Sequence, residues 1–132
     1  MLLAIPFLAF VVLAYAALTV IVGVDVSVPA FSLPMPSGAA LRLDTGDLIV
    51  FAGLFVMFFE IAKSTRTGAA SVIDHILSVV LFVLCLLMLI LWAPFGTATF
   101  LLITVMCLID VIAGFTVSII SARRDVGIDS MH

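Results

Sequence analysis

The sequence predicts an all-α, polytopic membrane protein: four transmembrane helices, both ends on the cytoplasmic side, and a short extended or β-hairpin-like outer loop. Three observations predict it. Hydrophobic residues make up 66 % of the 132 positions and charged ones 10 %, with a mean hydropathy of +1.51. Soluble domains are about 45–50 % apolar and about 25 % charged, and a chain this short cannot hide so much apolar surface from water. Four long apolar runs are separated by short polar breaks, and the few cations fall almost entirely into alternate breaks.

The first run, Leu2–Gly23, predicts a helix over about 2–23. Ala14-Tyr15-Ala16 has the form of a leader cleavage site, but no Lys or Arg precedes it and the apolar run continues to Val22, so the reading is a retained helix. The outer loop, 24–46, alternates apolar and polar residues over Val24–Val28 and again over Leu41–Asp44. Pro29, Pro34, Pro36 and Gly38 lie between and supply turns, so a small hairpin or flap over the helix ends is expected.

The second run, Leu48–Ala62, is 15 residues, or about 22 Å at helical rise. A span needs about 20 residues, so the helix, expected over 47–64, either extends through its flanks with Lys63 snorkelling outward or thins the bilayer locally. Asp44-Thr45-Gly46-Asp47 provides an acid-rich start that suits the helix dipole. The third helix is expected over 73–93, with Ser71-Val72-Ile73-Asp74 in the form of a capping box. Pro94 and Gly96 end it, Thr97 caps a fourth helix over 97–122, and 123–132 reads as a short polar cytoplasmic tail.

Orientation follows from the cations. Lys63, Arg66, Arg123 and Arg124 fall on one side of a four-span arrangement and only Arg42 on the other. Positive charge stays inside, so both termini are cytoplasmic in a bacterial inner membrane, and Trp92 meets the outer interface.

Composition also excludes chemistries. Five Lys and Arg against eight acids give a net charge of −3 and no basic stripe, which sets nucleic acid aside as a partner. Cys85 and Cys107 have no metal or redox spacing and read as small buried side chains. With two histidines, His75 and the terminal His132, no metal site converges. No nucleophile motif, phosphate loop or cofactor box occurs, so neither an enzyme nor a cofactor is expected.

Asp110 is the sharpest polar signal. It lies midway between Thr97 and Arg123, near the bilayer midplane, where an acid costs about 2.5–3.5 kcal/mol. Its carboxyl must face the bundle. It reads either as a packing clasp to another helix or a second copy, or as a group that handles protons or ions. Gly114-Phe115-Thr116-Val117-Ser118 follows as a small-xxx-small pattern, making Gly114 and Ser118 helix-packing positions. Glu60, the second intramembrane acid, has Lys63 three residues on as its partner. Helical rise over these expected bounds puts Glu60 about 15 Å in depth from Asp110. Asp74, His75, Lys63 and Arg66 are placed at the cytoplasmic interface, Asp74 as the capping acid and His75 as a solvated ring. Phe51, Phe55, Phe58 and Phe59 form an aromatic stripe for lipid or helix packing.

Five motifs stand out between Leu43 and Arg124: Thr45-Gly46-Asp47, Glu60 with Lys63-Ser64-Thr65-Arg66-Thr67-Gly68-Ala69, Asp74-His75, Gly96-Thr97-Ala98-Thr99 and Asp110-Val111-Ile112-Ala113-Gly114. On these residues the chain resembles a group of small four-helix inner-membrane proteins of proteobacteria. It implies topology and no activity. The chain is also similar in size and helix number to small multidrug transporters, which place their working carboxylate in the first helix; here the first helix has no acid, so that match fails. The expected role is therefore that of a structural or accessory membrane protein, in contact with lipid and packing with itself or a larger membrane complex. The alternative is a small oligomeric channel or proton-coupled transporter built on Asp110.

Overall fold

The computed structural model describes residues 4–66 and 68–129; His132 lies outside them. It is mostly helical. α1 (Leu8–Ala16) continues as a π-helical turn over Ala17–Ile21, and a hairpin of β1 (Pro29–Pro34) and β2 (Ala40–Asp44) follows. α2 (Thr45–Ser64), α3 (Ala69–Leu91), a 3-10 turn (Ala93–Phe95) and α4 (Ala98–Asp129) complete the order. α2, α3 and the Ala98–Arg124 part of α4 are long and apolar enough to cross a membrane. The helical stretch Leu8–Ile21 is shorter, about 21 Å at helical rise.

α4 is the central helix. It packs against α2 and α3, and α1 lies against α2 and α4. Of its most apolar stretch 39 % is buried, against 17 % in α2 and in α3, which turn most of their side chains outward. The core follows this axis: Leu8, Tyr15, Cys85, Phe95, Phe100, Ile103 and Cys107 are essentially inaccessible. At the hairpin end, Phe100 packs tilted against Tyr15 and edge-on against Phe95, with ring centroids 5.0 and 4.8 Å apart. The Tyr15 hydroxyl donates to the Pro94 carbonyl at 3.1 Å and lies 2.6 Å from Thr97 Oγ1, fastening α1 to the α3–α4 turn.

Several boundaries follow the sequence signals. Thr97 Oγ1 accepts from the Phe100 N–H at 3.1 Å and caps α4. Asp44 and Asp47 form a reciprocal capping box on α2, with the Asp44 N–H donating to Asp47 Oδ2 at 2.8 Å. The helix extends through its flanks to 20 residues, as its length required.

Other boundaries differ. Residues 2 and 3 of the expected first helix lie outside the described residues; among those described the α-helix starts at Leu8, and side chains of α2 meet the chain just before it, Glu60 accepting from the Phe7 N–H and Lys63 donating to the Ile5 carbonyl. α3 starts at Ala69 after Gly68, whose φ of +128° ends the turn from α2, so Ser71 and Asp74 lie inside the helix and form no capping box. α4 runs to Asp129 instead of stopping at 122, since nothing from Ser121 to Asp125 breaks a helix.

The hairpin is present, but its first strand is Pro29–Pro34 and not Val24–Val28. Phe31 pairs with Leu43, Leu33 with Leu41 and Pro34 with Ala40. A two-stranded ribbon has free edges on both sides, so prolines at its strand ends lose no ladder bond. Val24–Val28 instead caps α2: the N–H groups of Thr45 and Gly46 donate to the carbonyls of Val28 and Val26 at 2.9 and 2.8 Å. Those are two of the donors that a helix start leaves without an internal partner.

Candidate functional site

At the end of the bundle opposite the hairpin, four charged side chains are buried together. Glu60 is 0 % exposed, Asp74 4 %, Asp110 5 % and Lys63 8 %. They come from α2, α3 and α4, and the segment before α1 closes over them.

Lys63 is the hub. Its ammonium lies 3.0 Å from Glu60 Oε1 and 2.9 Å from Asp74 Oδ1, and it donates to the Ile5 carbonyl at 2.8 Å. An ammonium has three N–H donors, and three oxygens surround this one. The Phe7 ring covers it with its centroid 4.2 Å away, a cation–π contact. The expected outward snorkelling of Lys63 is therefore corrected: with its acceptors inside the bundle, the side chain turns inward.

Glu60 does more than pair with Lys63. Its Oε2 accepts the backbone N–H of Phe7 at 2.6 Å, so it caps the start of α1. Its Oε1 touches the Lys63 ammonium but accepts no aligned hydrogen bond. Asp74 is the second anchor of Lys63 rather than the cap of α3. Asp74 lies early in α3 and Lys63 at the end of α2, and the two side chains bridge those helix ends.

Asp110 sits deeper in the same layer. Its carboxyl pairs with the hydroxyl of Ser78, which is 3 % exposed on α3, and it is close enough to Glu60 for the two to interact electrostatically. The expected 15 Å separation of the acids is overturned. α2 and α4 start at the same end, where a Cβ on Gly46 would collide with Thr99. Glu60 is 15 residues into one helix and Asp110 12 into the other, so their depths differ by about 4–5 Å. The larger figure came from placing the α4 end at Arg123.

The remaining residues of interest occupy the rim. His75 is half-buried; its ring lies against Gly114, where a Cβ would come within 2.7 Å of Nδ1. Gly114 is thus a packing position, and its partner is an imidazole rather than another helix backbone. His75 Nε2 is 3.5 Å from Ser71 Oγ, a weak contact. Ser118 lines, with His75, Val72 and Phe115, an apolar groove of about 400 Å³ between α3 and α4. Arg66 is exposed and lines a smaller pocket with Lys63. Above the cluster, the thiols of Cys85 and Cys107 touch across the α3–α4 interface. Among the described residues no three His, Cys, Asp or Glu side chains are grouped to hold a metal ion.

Sequence spacing had linked Glu60 with Lys63, and nothing along the chain pointed to Phe7 or Ile5 as their partners. The one usable signal was the uncharged leader, whose first backbone donors inside a membrane need an acceptor from somewhere. Comparison with protein-family models, with curated proteins and with solved structures finds no match.

Proposed function

We propose that the chain is a four-span protein of a bacterial inner membrane, with both ends cytoplasmic, that serves as a structural or accessory subunit packing with itself or with a larger membrane complex. The observation that carries this reading is that the buried polar groups are engaged with each other. Glu60 caps α1, Lys63 ties α2 to α3 and to the segment before α1, and the Asp110 carboxyl of α4 faces the Ser78 hydroxyl of α3. In hydrocarbon such contacts hold helices together where apolar packing alone supplies no preference over lipid. The outward faces are apolar along their length, with Phe51, Phe55, Phe58 and Phe59 on α2 and Ile76, Val83, Ile90 and Leu91 on α3 all exposed.

Four spans are supported by the position of α1. Its start meets Glu60 and Lys63 at one end of the bundle and its Tyr15 meets Pro94 and Thr97 at the other, so a short helix reaches both ends of its neighbours. The resemblance to four-helix inner-membrane proteins of proteobacteria agrees with that count. Lys63, Arg66, Arg123 and Arg124 mark the cytoplasmic side.

Purification in mild detergent tests the role: a self-associated species or a co-purifying membrane complex is expected, and a strict monomer without partners overturns it. The transport alternative is tested in proteoliposomes, where wild type and Asp110→Asn are expected to show equal, negligible proton flux. A reporter fused after Arg124 should be active in the cytoplasm.

A further inference from the structure

We infer that the face of α2 carries a binding site for one anionic phospholipid, with Arg66 taking the phosphate and a phenylalanine groove taking an acyl chain. The inference rests on the membrane-spanning reading above and goes beyond it by naming a site and a headgroup class.

Two concavities meet on this face. One, of about 570 Å³, is lined by aromatic and aliphatic side chains from Phe51 to Phe59. The other, of about 220 Å³, is lined by Phe7, Phe59, Ala62, Lys63 and Arg66. Phe59 belongs to both, so a cationic pocket opens into an apolar trough. From Phe51 to Phe59 the trough runs about 12 Å along the helix. That fits within one leaflet, half of a hydrocarbon core of about 30 Å.

Charge complementarity selects the occupant. The Lys63 ammonium donates to Asp74 and Ile5 and is ion-paired with Glu60, whereas Arg66 is exposed and makes no ion pair among the described residues. A guanidinium offers a planar fork that matches two phosphate oxygens. The acids that balance Lys63 lie on its bundle side and are buried, and none lines the pocket. A choline or ethanolamine group would find no carboxylate there, while the phosphate of a net-negative headgroup finds Arg66.

The test is native mass spectrometry of the full chain released from detergent, titrated with dioleoyl-phosphatidylglycerol or dioleoyl-phosphatidylcholine. One phosphatidylglycerol should be retained in preference, and Arg66→Ala should cut that preference about fivefold, the weight of one cation at an anionic surface. Arg66→Lys should keep part of it. Phe55→Ala should weaken both lipids alike, and circular dichroism confirms that each variant is folded. Equal retention of the two lipids by wild type, or an unchanged preference in Arg66→Ala, overturns the site. Carbonate washing of membranes separates the two readings. Release of the chain overturns the membrane reading and this site with it, whereas a retained chain without headgroup preference overturns the site alone.

Discussion

The backbone N–H of Phe7 donates to Glu60 Oε2 at 2.6 Å, so a carboxyl on α2 caps a helix start 53 residues away in the chain. Helix starts expose donors that water normally satisfies. This start is buried beside Lys63, and a side chain from another helix supplies the acceptor.

That relationship separates two roles of Glu60. Glu60→Gln keeps an oxygen for Phe7 but loses the charge beside Lys63, whereas Glu60→Leu loses both. We expect a loss of about 1 kcal/mol for Gln and about 3 kcal/mol for Leu. Unfolding in mixed micelles followed by circular dichroism measures them, and equal losses would mean that the cap contributes nothing.

Lys63 should be the most sensitive position. Lys63→Met leaves Glu60 and Asp74 without their shared cation, and removing one partner of a buried pair costs about 3–5 kcal/mol. Adding Glu60→Gln and Asp74→Asn should recover most of that loss, with a coupling above about 1 kcal/mol in the unfolding cycle. Simple additivity would show that the three do not act as a unit.

Gly114→Ala drives a methyl group into the His75 ring, which must shift. Overpacking of this kind costs about 1–3 kcal/mol. In a His75→Ala background the same substitution should be nearly neutral, because the space has been vacated. An undiminished cost there would place the obstruction elsewhere.

The turn that caps α2 should weaken in acid. The side chain and the backbone N–H of Ser27 both donate to Asp25 Oδ1, at 2.7 and 2.9 Å, and hold its carboxyl below the ordinary aspartate range. A depressed folded-state value stabilises above the unfolded one, about 3.9, and that contribution disappears as pH falls through the folded value. Amide exchange of Ser27 and Gly46 should therefore quicken, relative to intrinsic rates, on acidification below about pH 4. Asp25→Asn should remove that dependence.

Much of the architecture is legible along the chain because its causes are local. Thr97 caps α4 since a hydroxyl three residues before a free N–H reaches it whatever lies around. Asp44 and Asp47 form their box for the same reason. Misplaced boundaries had non-local causes. The start of α1 meets Glu60 and Lys63, and Ser71 to Asp74 imitates a capping box while Gly68 turns the chain three residues earlier. Lys63 was expected to point outward because a lysine at the end of a membrane helix can reach the interface, and it points inward because Asp74 and Ile5 supply acceptors there.

Composition and apolar periodicity by themselves determined that hydrocarbon suits these helices, where most of them run, and which side chains are costly to bury. Those properties depend on transfer free energies and on contacts within one helical turn. Only the tertiary structure decided that Glu60, Lys63, Asp74 and Asp110 form one layer, that α4 is its axis, and that Gly114 makes room for a ring. A charge in a low-dielectric interior is governed by what lies within a few ångströms, and those neighbours come from four different segments of the chain.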